Sequence, residues 1–249
     1  LQMDNGQLTP LSQGNAEVTD INAVDEVNKR VYYTMAWPRP MDRNLFVSDF
    51  TGKKPFALTQ DSAWHRVELN EDFTQFFDYR STINQPNTVT VKKISFQKKK
   101  GWSTQTLRKV SESNKLNAKL KEYSFGQADF IRIPNTKGDT LNGWMLKPSG
   151  FDPNKKYPVL FCNYGGPGSQ QVANRWGAVS PWHQMLAQKG FIVVSVDNTG
   201  TGYRGEEFKK KTYLQLGKFE IEDQIDAAAY LGKMPYVDKD HIGHWGWSF

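Results

Sequence analysis

Residues 241–249 read HIGHWGWSF, and the fold turns on how this stretch is understood. A short apolar strand runs into Gly246-Trp247-Ser248-Phe249, the first four positions of a G-x-S-x-G pattern. In that pattern a strand delivers a serine onto a sharp, strained turn ahead of a helix, so that its hydroxyl stands free at the end of a sheet. The flanking glycines are small because bulk there would strike the neighbouring strand and helix. G-x-S alone recurs by chance, and its plain alternative is a strand-end serine that packs or caps a helix. What precedes it must decide.

Working back from Ser248, buried strands alternate with helices. "YPVLFCNY" and "FIVVSVDN" are short apolar runs of buried-strand type. "PWHQMLAQKG" reads as a helix closed by Gly190. "FEIEDQIDAAAYLGKM" reads as an amphipathic helix, with Phe219, Ile221, Ile225, Ala228 and Leu231 on its apolar face and its acids, Asp223 and Asp226 among them, on a solvated one. "DFIRIPN" and "TLNGWMLKP" form a hairpin around "TKGD". This alternation predicts a mostly parallel sheet with helices on both faces. The loop after "YPVLF" is Tyr164-Gly165-Gly166-Pro167-Gly168, where such folds build an oxyanion hole. Glycines there let backbone approach a scissile carbonyl. A phenol, ionising only near pH ~10, keeps a proton to donate. Tyr164 is therefore the candidate side-chain donor and the N–H of Phe249 the candidate backbone donor. The alternative for Tyr164 is a packed strand-end aromatic.

The first part of the chain has a different grammar. Short strands such as "RVYYTMAW", "NLFVSDF", "WHRVEL", "QFFDYRS" and "TVTVKKI" follow one another between turns. The stretch repeats itself: Leu11 answers Leu58, Tyr32 answers Phe76, and "RNLFVSD" answers "PNTVTVK". A period in the forties with about four strands per unit marks β-propeller blades. Two blades cannot close a ring, since propellers take roughly four to eight; an irregular β-sandwich is the alternative. "SESNKLNAKLKE" reads as a short helix or linker.

Several chemistries are disfavoured. The net charge is +6, but the basic residues are dispersed and no binding motif is present, which argues against nucleic acid. The single cysteine, Cys162, rules out an internal disulfide and reads as a small buried thiol. The longest apolar run, "FIVVSV", is far too short to span a membrane. Gly200-Thr201-Gly202-Tyr203-Arg204-Gly205 is formally G-x-G-x-x-G, yet the nearest acids at the required distance, Glu220 and Glu222, fall on a helix rather than a strand end. His241 and His244, three apart on a strand, point to opposite faces and make a poor zinc pair. In α/β-hydrolases the acid and base follow the serine, so they are expected after residue 249. The chain opens at "LQMDNGQLTPL" without a leader and reads as cut at both ends.

"NYGGPGSQ", "VDNTGTGYRG", "LGKFEIEDQIDAAAYL" and "HIGHWGWSF" together resemble the prolyl oligopeptidase family of serine peptidases, and within it the dipeptidyl peptidase IV branch. The resemblance covers essentially the whole chain and is most specific from Asp129 onward. It implies the last blades of an eight-bladed propeller over residues 1–119, followed by the first part of an α/β-hydrolase domain over 120–249. It implies Ser248 as nucleophile and Tyr164 as oxyanion donor. Phe249 stands where tyrosine is usual, a departure of small consequence if only its N–H is used. The implied activity is release of N-terminal dipeptides after proline or a small residue, from peptides with a free amino terminus, with no cofactor and no metal. Tripeptidyl and acylaminoacyl specificities, an esterase, and a non-catalytic propeller scaffold are the rival readings. Homodimerisation and a periplasmic or envelope location follow from the resemblance only. The 249 residues alone are expected to be inactive.

Overall fold

The computed structural model describes residues 6, 8, 10–12, 14–53 and 55–249; most of the opening "LQMDNGQLTPL" lies outside the described residues. Two compact units result, Leu1–Asn114 and Lys115–Phe249.

The first unit is two four-stranded antiparallel meanders. One holds β1 (Val18–Asp25), β2 (Arg30–Met35), β3 (Asn44–Asp49) and β4 (Phe56–Ala57) in that order; the other holds β5 (Trp64–Leu69), β6 (Gln75–Thr82), β7 (Gln85–Gln97) and β8 (Gly101–Ser111). The internal repeat maps strand on strand. Tyr32 in β2 and Phe76 in β6 are each 1% exposed and lie in one core with Leu45, Val47, Leu58, Val67 and Ile94, drawn from both sheets. Burial of such side chains contributes roughly 1.5–3 kcal/mol apiece. A polar pin crosses the second meander: His65 Nδ1 meets Asp78 Oδ1 at 2.7 Å and His65 Nε2 meets Asp61 Oδ1 at 3.0 Å. Lys92 Nζ reaches the second Asp78 oxygen at 2.7 Å, and Arg80 Nε donates to Asp61 at 2.6 Å. Burial alone would lower His65, but the two carboxylates outweigh it and the imidazole is raised above its ordinary value. Neither sheet closes on itself.

The second unit opens with α1 (Asn114–Leu120), then β9 (Ala128–Pro134), β10 (Thr140–Leu146), β11 (Tyr157–Asn163), α2 (Pro181–Gln188), β12 (Ile192–Asp197), α3 (Glu206–Lys210), α4 (Lys218–Leu231) and β13 (Val237–Gly246). The sheet order is β13-β11-β12-β10-β9. Four of the five strands run the same way and β10 alone is reversed. β11 pairs in parallel with β12 and β13, whereas β10 runs antiparallel to both β12 and β9. The short "NTKGD" turn returns β10 against β9, and that hairpin extends the parallel core as an antiparallel edge.

Helices cover both faces. Ile192, Val194 and Val196 of β12 pack with Ala227 and Leu231 of α4. Trp144 of β10, alternate to Met145 in that core, packs at a tilt against His183 of α2 with centroids 5.1 Å apart. Ser180 caps α2, its hydroxyl accepting from His183 N while its own N–H donates to His183 Nδ1 at 3.0 Å. That bond needs a neutral ring, and burial lowers the His183 pKa accordingly.

α4 corrects an expectation. Its buried residues are Glu220, Asp223, Ala227 and Leu231, while Ile221 and Ile225 are 61% and 62% exposed. Asp223 accepts from the Thr199 N–H at 2.6 Å and from Asn135 Nδ2 at 2.8 Å. Asp226 accepts from the Thr136 N–H and hydroxyl, each at 2.8 Å, and Glu222 pairs with Lys137. The acids tie loops to the helix rather than forming a solvated face; at Asp223 the cause is the buried Thr199 N–H beyond β12, which needs an acceptor.

Candidate active site

Ser248 sits just past the end of β13 with φ +74°, left-handed backbone that side-chain-bearing residues rarely adopt, and it is exposed. Strain of about 1–3 kcal/mol is usual for such a residue and persists where the surroundings enforce it. The surroundings are a parallel strand pair. Asn163 of β11 stands opposite Gly246 of β13, and a Cβ on Gly246 would lie 2.8 Å from the Asn163 carbonyl oxygen. Gly246 is therefore glycine because β11 passes against it. The two strands end side by side: β11 feeds Tyr164–Gly168, and β13 feeds Trp247, Ser248 and Phe249.

Tyr164 is partly exposed and its ring lies over Gly166, where a Cβ would fall 2.7 Å from Cε1 and 3.0 Å from the hydroxyl oxygen. At Gly165 a Cβ would fall 2.7 Å from Asn198 Oδ1. The loop is then fastened to the segment leaving β12. Gly168 N–H donates to Gly200 O at 2.9 Å, Gly202 N–H to Ser169 O at 3.0 Å, and Ser169 Oγ to Gly166 O at 2.6 Å. Fully buried Asp197 accepts from the Gln171 and Val172 N–H groups at 2.8 and 3.1 Å. Burial pushes this carboxyl up to about 7, against the opposing pull of those two donors and of Arg204. The G-x-G-x-x-G stretch thus faces protein: a Cβ on Gly200 would meet Thr212 and one on Gly202 would meet Gly168.

A cavity of about 1140 Å³ opens between α4 and β13, its lining including Asn163, Gly165, Gln224, Ile225, His244 and Phe249. Its walls are largely apolar, and partly exposed Trp245 of β13 is one of them. His244 stacks on Phe161 with centroids 4.4 Å apart, and desolvation lowers its pKa. His241 turns to Asp238, with Nδ1 to Oδ2 at 2.8 Å. Among the described residues no three ligand-type side chains gather as a metal site, and no helix is long and apolar enough to cross a membrane.

One part of the site escaped the sequence. Asn163, Asn198 and Gln224 join in a polar chain behind the Tyr164 loop. Asn163 Oδ1 accepts from the Val196 N–H at 2.9 Å and its Nδ2 donates to Gln224 Oε1 at 2.7 Å. Gln224 Nε2 donates to Val196 O at 3.2 Å and to Asn198 Oδ1 at 3.4 Å. Asn198 Nδ2 donates to Gly165 O at 3.0 Å and Thr199 O at 2.8 Å. The signal available was an asparagine closing each of two adjacent apolar strand runs, "LFCN" and "SVDN".

Fold and site together define an α/β unit with a strand-end serine on a left-handed turn, preceded in the chain by antiparallel four-stranded meanders. Residues 178–249 match the family model of the prolyl oligopeptidase family, and residues 1–87 match that of the dipeptidyl peptidase IV N-terminal region. "Probable dipeptidyl peptidase 4" of Aspergillus flavus is 32% identical over 246 residues, covering 98% of this chain and 31% of that protein. The corresponding protein of Emericella nidulans is 34% identical over 249 residues, with 98% and 31% covered. The crystal structure of Porphyromonas gingivalis dipeptidyl peptidase 4 superposes with a TM-score of 0.84 at 36% identity, covering 95% of this chain and 32% of that one. Both units are thus similar to proteins of the prolyl oligopeptidase family, on its dipeptidyl peptidase IV-like side. The chain spans about a third of the length of these relatives.

Proposed function

We propose that the complete polypeptide carrying this chain is a serine exopeptidase that releases N-terminal dipeptides after proline or a small residue. On this reading residues 1–119 are the last blades of a propeller and 120–249 the first part of an α/β-hydrolase domain. The observation that carries it is Ser248 at φ +74° on the turn after β13, beside the strand whose continuation bears Tyr164. The Ser248 hydroxyl attacks the scissile carbonyl. Its proton passes to a histidine beyond residue 249, oriented by an aspartate also beyond it. The tetrahedral oxyanion is held by the Tyr164 hydroxyl and the Phe249 N–H, and its collapse expels the shortened peptide as an amine that takes the proton back from that histidine. Water then releases the dipeptide from the acyl-serine. The similarity of both units to dipeptidyl peptidase 4 proteins supports the dipeptidyl specificity over the esterase and scaffold readings.

The test is hydrolysis of glycyl-prolyl and alanyl-prolyl anilides by the complete polypeptide. Ser248→Ala should abolish turnover. Tyr164→Phe should lower kcat on the order of 100-fold, the usual cost of one oxyanion donor. Cleavage of simple acyl esters with no anilide cleavage would refute the peptidase reading. Residues 1–249 alone should show no turnover.

A further inference from the structure

We propose that Asn198 and Gln224 are positioning residues that hold the Tyr164 loop in its working conformation. The inference rests on the reading of Tyr164 as an oxyanion donor and assigns what fixes it. Three observations support it. Asn198 is completely buried and spends its amide N–H groups on the carbonyls of Gly165 and Thr199. It thereby grips the residue immediately after Tyr164. Next, Asn198 packs so closely on Gly165 that a Cβ there would lie 2.7 Å from its Oδ1, so the grip includes contact as well as a hydrogen bond. Finally, the residue before Tyr164 is tied to the same scaffold, since Asn163 donates to Gln224 Oε1 while Gln224 donates to Val196 O and Asn198 Oδ1. Tyr164 is thus clamped on both sides, through Asn163 and Gly165, to one glutamine on α4.

Neither Asn198 nor Gln224 need touch substrate for this clamp to act. A hydroxyl that must meet charge developing in a transition state gains most from being fixed beforehand, and a misplacement of about 1 Å can cost on the order of 100-fold in rate. Gly166 works to the same end, because its missing side chain leaves the room in which the Tyr164 ring rests.

The experiment uses the complete polypeptide with Asn198→Ala, Gln224→Met and Tyr164→Phe, singly and combined. Three quantities are read: kcat and KM on a glycyl-prolyl anilide, affinity for a prolyl boronate whose tetrahedral serine adduct mimics the oxyanion, and affinity for the product dipeptide. The expected result is a kcat loss of roughly 10- to 100-fold with KM and dipeptide affinity held, boronate affinity falling in step with kcat. Added to Tyr164→Phe, either variant should cost little more, since residues acting as a unit are non-additive. Unchanged kcat in folded Asn198→Ala, or losses that multiply fully with Tyr164→Phe, would overturn the proposal. If Asn198→Ala does not fold, Gln224→Glu carries the test, because it keeps the acceptor for Asn163 and removes the donors to Val196 O and Asn198 Oδ1. A wild type that cleaves no anilide, or a Tyr164→Phe without effect, defeats the underlying reading of the site instead.

Discussion

Replacing Asp223 by alanine should destabilise the second unit far more than a helix-surface acid would. Asp223 lies on α4 with no exposed surface, and its carboxylate takes the Thr199 N–H at 2.6 Å and Asn135 Nδ2 at 2.8 Å. Hydrogen bonds to a charged acceptor contribute about 1.5–3 kcal/mol each, and truncation leaves both donors buried without a partner. Two such bonds place the loss at about 3–6 kcal/mol, a large share of the ~5–15 kcal/mol that holds a typical protein folded. The control is Asp226→Ala on the same helix. Its bonds to Thr136 are exposed, so water replaces them and the cost should stay near or below ~1 kcal/mol. Urea unfolding of the 249-residue chain, followed at a signal from the second unit, gives both values as midpoint shifts at constant slope. A cycle with Asn135→Ala should show a coupling of about 1–2 kcal/mol between residues 135 and 223. An Asp223→Ala loss within ~0.5 kcal/mol of that for Asp226→Ala would refute the reasoning. The acids of α4 would then be the solvated face their sequence spacing describes.

Three further outcomes are expected. His65, raised above the ordinary imidazole value between Asp61 and Asp78, stabilises the first unit fully below the unfolded pKa near 6.5. That contribution is lost as pH rises through the raised folded value, so thermal melts should show a decline as pH climbs beyond about 6.5 that His65→Gln removes. Gly166→Ala should leave the melting temperature nearly unchanged but lower kcat of the complete polypeptide, since its methyl would displace the Tyr164 ring; retention of full kcat would show that the ring position is immaterial. Cys162, buried in β11 with its thiol pushed up to about 11 by desolvation, should resist iodoacetamide at pH 8 when native and react in denaturant, as mass spectrometry can follow.

The sequence carried the strands of both units because their apolar patterns are local. The repeat placed Tyr32 and Phe76 at matching strands, and "HIGHWGWSF" placed Ser248 at a strand end. What it could not carry was satisfaction at a distance. The acids of α4 obey the spacing of a solvated face, yet Asp223 is spent on a backbone N–H twenty-four residues away in sequence. Ile221 and Ile225 obey the spacing of a core face, yet they line the open cavity against β13. Periodicity registers where side chains point around a helix axis, not which side of that axis meets protein. The Asn163–Gln224–Asn198 chain was hidden for the same reason. Its three members lie on two strand ends and a helix, and only the parallel register of β11 beside β12 brings their amides within reach. The strand-end serine is therefore legible in a nine-residue motif, whereas the support for its proposed partner Tyr164 is spread over sixty residues and exists only once the sheet has formed.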